Sequence, residues 1–166
     1  MHDFIVWLQN SAVGTWVREA FLPFPIIISI HVLGMGLVAG TAFASGLRLL
    51  GIAPGIPLAQ IKRLRLVCIG GLFLIVPSGL LLFISYPAKA ITNPMFYIKL
   101  TALAVAIWVT WFATPKAVND PALQAGPLPG KLKVYGICLI AIWAVVIISG
   151  RLLPYTYDFN NILWYP

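Results

Sequence analysis

The sequence predicts an all-α protein, a four-helix transmembrane bundle preceded by an N-terminal amphipathic interfacial helix. Three observations predict it. Of the 166 residues, 61% are hydrophobic and 9% are charged, against roughly a quarter charged in soluble domains. The mean hydropathy of +0.97 implies more apolar surface than one core of this size can hide, so the balance must face lipid. The apolar residues also fall into four runs, each near the ~20 residues that a helix needs to cross a bilayer. No repeat or linker divides the chain, and residues 1–166 read as a single membrane domain.

Residues 1–21 mix apolar and polar positions, with Phe4, Leu8, Ala12 and Trp16 recurring every fourth residue and Gln9, Asn10 and Arg18 elsewhere. That spacing is one face of a helix. The segment lacks a basic leading region and is interrupted by Gln-Asn-Ser, which argues against a signal peptide and for a helix in the membrane interface. Phe21-Leu-Pro-Phe-Pro25 punctuates the chain before the first span. The spans run over about 24–46, 66–86, 96–114 and 132–153, with connections rich in Pro and Gly such as 51–57 and 126–130. Pro77, in Val76-Pro-Ser-Gly79, is expected to kink the second span and free a carbonyl near position 73. Residues 154–166 form a tail in which five of twelve positions from Tyr155 are aromatic.

Orientation follows from the basic residues. Arg48, Lys62, Arg63, Arg65, Lys116, Lys131 and Lys133 put seven on the side of the odd connections, against four on the other, Arg18, Lys89, Lys99 and Arg151. The odd connections are therefore expected in the cytoplasm of a bacterium, with the chain in the inner membrane and both termini periplasmic. The same topology accounts for the net charge of +7. No phosphate loop, zinc spacing or RNA-binding aromatic motif accompanies it, so nucleic acid is excluded as a partner. Cys68 and Cys138 lie in apolar runs without a C-x-x-C and read as packing residues.

His31, in Ile26-Ile-Ile-Ser-Ile-His-Val-Leu-Gly-Met, lies ~10 Å below the helix start. An ionisable group at that depth faces the bundle interior and has a partner. Three roles remain open for it: a neutral histidine bonded to a neighbouring helix, a metal or haem ligand, or a proton relay. Gly34 stands beside it, where a porphyrin face would need room, and Gly36, Gly40 and Ala44 form a small-residue stripe whose plain reading is helix packing. Lys99 and Arg151 lie near the same outer ends of spans three and four, where they could meet haem carboxylates or snorkel to headgroups. The second axial ligand is open: Met95 is a candidate, as is His2, whose place in the interfacial helix suggests solvation, and a five-coordinate haem open to a small ligand is the alternative. Copper is disfavoured because the ligands His31, Met35 and Met95 do not cluster.

Taken together, His31 in a Gly-rich first span, Gly46-Leu-Arg-Leu-Leu-Gly51, Pro-Ser-Gly-Leu-Leu-Leu-Phe in the second span, Asn93-Pro-Met-Phe-Tyr-Ile-Lys99 and Ser149-Gly-Arg151 resemble a family of small bacterial four-helix inner-membrane proteins. More distantly the chain is similar to the copper-resistance D proteins and the HemJ-type protoporphyrinogen oxidases. The resemblance implies haem or porphyrin chemistry at His31 and Lys99, while the chain lacks the further histidines of a bis-histidine cytochrome. The expected function is a haem b-binding membrane protein carrying electrons between the quinone pool and a periplasmic acceptor, with a haem-dependent oxidoreductase, including one acting on porphyrin, as a variant. The alternative is a cofactor-free structural or assembly subunit of a larger membrane complex. Expected partners are the lipid bilayer, a quinone, and a second copy or larger complex met through the periplasmic face by the N-terminal helix and the tail.

Overall fold

The computed structural model describes residues 2–113 and 128–164, with the backbone alone at 2, 58, 59, 62, 112, 113 and 157–164. Proline opens several of its helices, because a ring that fixes φ and lacks an N–H suits the first turn. The chain runs α1 (His2–Gln9), α2 (Ala12–Glu19), α3 (Pro23–Leu50), α4 (Leu58–Ser85), α5 (Pro87–Ile91), α6 (Pro94–Trp108) with a π-helical turn at Val109–Ala113, and α7 (Gly130–Trp164). Four stretches are long and apolar enough to span a bilayer: Pro23–Leu50, Arg63–Ser85, Pro94–Trp111 and Gly130–Thr156. The chain is thus an all-α, multipass four-helix bundle, with no strand among the described residues. α3 stops at Gly51, whose φ of 83° is the left-handed cap that glycine adopts without strain.

Three elements differ from the sequence reading. The first segment is two helices rather than one, because Ser11 leaves helical geometry to N-cap α2, its hydroxyl accepting from Gly14 N at 3.2 Å. Arg18 then ties the pair to the bundle, its guanidinium donating to the carbonyls of Gln9 (2.5 Å) and Ser85 (2.9 Å). α4 begins at Leu58 rather than near 66, with Arg63 and Arg65 on its first turns. α7 continues as helix through Pro154 to Trp164, where a separate tail is expected. Asn93 Nδ2 grips α7 at that proline, donating to Leu153 O at 2.9 Å and Thr156 Oγ1 at 3.0 Å. Lys116 and most of the third connection lie outside the described residues.

α3 is the hub of the packing, and it meets its two neighbours at different levels. In the half of the bundle under α1, α2 and α5, here called outer, it crosses α4 at Gly34 and Gly71. A Cβ at Gly34 would stand 2.8 Å from Leu74 Cβ and 2.9 Å from Gly71 O, and one at Gly71 only 2.5 Å from Val38 Cγ2. In the other half it crosses α7 at Gly46 and Gly136, where a Cβ on Gly136 would lie 2.7 Å from Gly46 O. Gly36 and Gly40 have nothing within 4 Å of a Cβ, so the small-residue stripe at spacing four faces outward and the packing glycines are others.

Between these crossings lies the core, with Trp143 as its largest side chain, packed with Val38, Ala39, Ala42, Cys68, Ala102 and Ala106. α4 and α6 stand further apart than the other neighbouring pairs and meet through long side chains. Phe83 stacks on Phe96 at 5.7 Å and Arg65 lies over Trp111 at 5.3 Å.

Gly34→Ala and Gly71→Ala are expected to destabilise the bundle by about 1–3 kcal/mol through overpacking. Gly36→Ala leaves it unchanged or up to about 1 kcal/mol more stable, from helix propensity. Thermal unfolding in detergent measures the difference, and equal losses at Gly34 and Gly36 would contradict the crossing.

Candidate functional site

Depth along the helices brings the site together. His31 is eight residues into α3 and Ser78 seven residues from the end of α4, so both lie ~10–12 Å below the outer end. Lys99, five residues into α6, and Gly150, on α7, come to nearly the same level.

His31 is buried at 8% exposure. Its Nδ1 lies 3.0 Å from Ser78 Oγ, and Gly79 makes room for the ring, since a Cβ there would sit 3.1 Å from His31 Cε1. The direction of the bond follows from the serine. Ser78 has one hydroxyl hydrogen, which it gives to the carbonyl of Leu74, with that of Ile75 at 3.2 Å. With that hydrogen on a carbonyl, the oxygen accepts from His31 and Nδ1 is the donor, which is the tautomer assigned here. In that tautomer of the neutral ring Nε2 keeps its lone pair. A neighbouring hydroxyl that fixes one ring nitrogen as donor leaves the other free as a ligand or proton acceptor.

Lys99 turns into the bundle. Its Nζ would stand 3.3 Å from a Cβ at Gly150, so the missing side chain of Gly150 is the berth in which the ammonium lies. The chain's four carboxylates, Asp3, Glu19, Asp120 and Asp158, all fall outside the apolar spans, so no acid within the spans neutralises it. Arg151, one residue on and about 100° around α7 from Gly150, is exposed.

Met95 is half-buried in the first turn of α6, its backbone N–H given to Asn93 Oδ1 at 2.9 Å. Four residues before Lys99, it shares that residue's helix face. Gly34 packs against Leu74, Ile75 and Gly71, so the space it leaves beside the imidazole is filled by α4. The side chain of His2 lies outside the described residues, and among those residues no group of three or more His, Cys, Asp or Glu side chains could hold a metal ion.

Ser78, Gly79 and Gly150 are the positions of the candidate site that residue-by-residue reading misses. Pro-Ser-Gly reads as a kink, yet its serine is a hydroxyl at the depth of His31 on an adjacent antiparallel helix, a coincidence that counting from the helix ends would reveal. Compared with protein-family models, curated proteins and solved structures, the chain matches none.

Ser78→Ala removes the acceptor that fixes the tautomer. Nitrogen-15 spectra of histidine-labelled protein are expected to show His31 as the Nδ1–H form in the wild type and as a mixture in the variant, with His2 as an internal reference. An Nε2–H form in the wild type would reverse the assignment.

Proposed function

We propose that the outer half of the bundle is a haem b site in a bacterial inner-membrane protein that passes electrons between the quinone pool and a periplasmic acceptor. The observation that carries the reading is the buried imidazole of His31, held at Nδ1 by Ser78 Oγ at 3.0 Å with its other ring nitrogen outside that bond. That is the arrangement in which a histidine ligates iron while its other nitrogen is held by a second partner. Lys99 supplies the cation for a propionate, held inward by Gly150, and Arg151 can serve one only from the outside. Met95 shares the Lys99 face as a second ligand. The separation of α4 from α6 leaves their seam bridged by side chains, which can yield to a flat group. Haem, when bound, supplies one-electron chemistry; the chain ligates it, orients it and balances its charge.

A second reading, a cofactor-free subunit of a larger complex, draws on a different observation: the Gly34–Gly71 crossing and the His31–Ser78 bond lock α3 onto α4 without any ligand. In both readings the periplasmic face carries the partner surface. Phe4, Trp7, Trp16 and Phe21 are exposed there and suit headgroups or protein alike.

Haem-replete expression is expected to yield protein with a Soret band and a reduced-minus-oxidised difference spectrum, both lost in His31→Ala and weakened in Lys99→Ala. A colourless, stably folded wild type would favour the second reading.

Orientation is tested by impermeant thiol labelling after Cys68 and Cys138 are replaced by alanine. Thr92→Cys is expected to label in spheroplasts, and Ala53→Cys only after the membrane is opened. The reverse pattern inverts the topology.

A further inference from the structure

The end of the bundle away from α1 and α2 carries cations and, among the described residues, no acid. Arg48, Arg63, Arg65, Lys131 and Lys133 lie there, whereas Asp3 and Glu19 are on α1 and α2 and Asp158 is toward the outer end of α7. Asp120 lies outside the described residues. Arg63, Lys131 and Lys133 are exposed, and Arg48 gives its Nε hydrogen to Ile56 O. Arg65 differs from all four. It is half-buried, with its guanidinium carbon 5.3 Å from the centre of the Trp111 ring. Contact with a ring face uses the charge of the guanidinium and leaves its five N–H donors for other partners; among the described residues none of them meets an acceptor.

The pair stands at the edge of the hydrocarbon. Arg65 is two residues inside the apolar stretch Arg63–Ser85 and Trp111 closes the stretch Pro94–Trp111, a depth of ~3 Å that leaves the guanidinium within reach of lipid headgroups. Trp111 belongs to the π-helical turn Val109–Ala113, an insertion of the kind that marks functional positions in helices. From this pair an apolar path leads into the bilayer along the seam where α4 and α6 stand apart. Ile69 and Leu72 follow Arg65, and Ile107 and Leu103 follow Trp111, at the three- and four-residue spacing of one helix face, and all four are half-buried. Leu72 and Leu103 also pack against the core, so this face looks between the helices.

We propose that this seam holds an anionic phospholipid of the phosphatidylglycerol class, its phosphate accepting from the Arg65 guanidinium beside Trp111 and one acyl chain lying along Ile69, Leu72, Leu103 and Ile107. The chemistry selects that class. The ligand must bring negative charge to a cation that no described acid meets, an apolar tail to a path within the bilayer, and no ammonium, which Arg63 and the two lysines at this end would repel. A free anion lacks the tail, and phosphatidylethanolamine carries the amine. The site lies at the opposite end of the bundle from His31, and the inference does not rest on the haem reading.

The test is equilibrium binding of dioleoylphosphatidylglycerol to the purified full-length protein by native mass spectrometry, with dioleoylphosphatidylcholine and inorganic phosphate as the other probes and thermal unfolding recorded for each variant. The wild type is expected to bind phosphatidylglycerol about fivefold or more tightly than phosphatidylcholine. Arg65→Gln is expected to raise the Kd for phosphatidylglycerol about tenfold or more, the loss of a hydrogen-bonded charge, while Arg63→Gln, which samples the general positive charge of this end, leaves it within about twofold. Equal losses at Arg63 and Arg65 mean a diffuse basic surface and overturn the site. Equal affinity for the two lipids, or displacement of phosphatidylglycerol by inorganic phosphate, overturns the lipid assignment. If Arg65→Gln does not fold, Trp111→Leu decides: losing the ring that positions the guanidinium is expected to weaken binding about threefold, and unchanged affinity overturns the proposal.

Discussion

The rest of the structure depends on the contact of α3 with α4 where neither helix has a side chain. Lipid tails are as apolar as the helices they surround, so no hydrophobic force draws helices together in a bilayer, and close van der Waals approach takes its place. Gly34 and Gly71 permit it. Their crossing fixes the register of the two helices, and one turn toward the outer end that register brings His31 to Ser78. The hydrogen bond between them follows from the packing. In hydrocarbon an imidazole without a partner would be strongly unfavourable, so the glycines make the histidine tolerable.

The polar groups of the bundle divide unequally between its two halves. The outer half holds His31, Ser78 and Lys99, while the opposite end carries its basic residues at the surface, with Arg48 bonded to the carbonyl of Ile56 and Arg65 lying over Trp111. Lys99 and Arg151 differ in the same sense. Both belong to helix ends at one level, but a glycine on α7 admits the lysine and nothing draws the arginine inward. An ammonium in an apolar setting, with no acid in the spans around it, attracts anionic or carbonyl oxygen strongly, since little water screens it.

Much of this was legible in the sequence. Run length and charge spacing located four spans, and depth alone marked His31 as an interior group. Boundaries were less legible, because Ser11 and Pro154 act through context: the serine breaks a periodic segment by capping, and the proline is carried in a helix whose outer end Asn93 holds from α6. Glycines were the least legible. Gly34, Gly36, Gly40 and Gly46 look alike on one helix, yet only Gly34 and Gly46 meet a neighbour, and which face is occupied depends on helices distant in sequence. Gly150 could not be read as a berth until α6 had been laid beside it.

The two glycine crossings also give the bundle a mechanical character. α3 and α4 form one arm, joined at Gly34, Gly71 and the His31–Ser78 bond, and α6 and α7 form the other, joined by Asn93 and Thr156. The arms press most closely at Gly46 and Gly136, fifteen residues from His31, or ~22 Å along α3. Contact at that end acts as a fulcrum, and the helices above it as levers. A rotation of about 5° there changes little at the fulcrum but shifts the helices at the level of His31 by ~2 Å, from the same helix rise. The separation of His31 from Lys99 therefore responds to packing at Gly46 and Gly136, nearer the opposite end of the bundle, as well as to the Trp143 core between them.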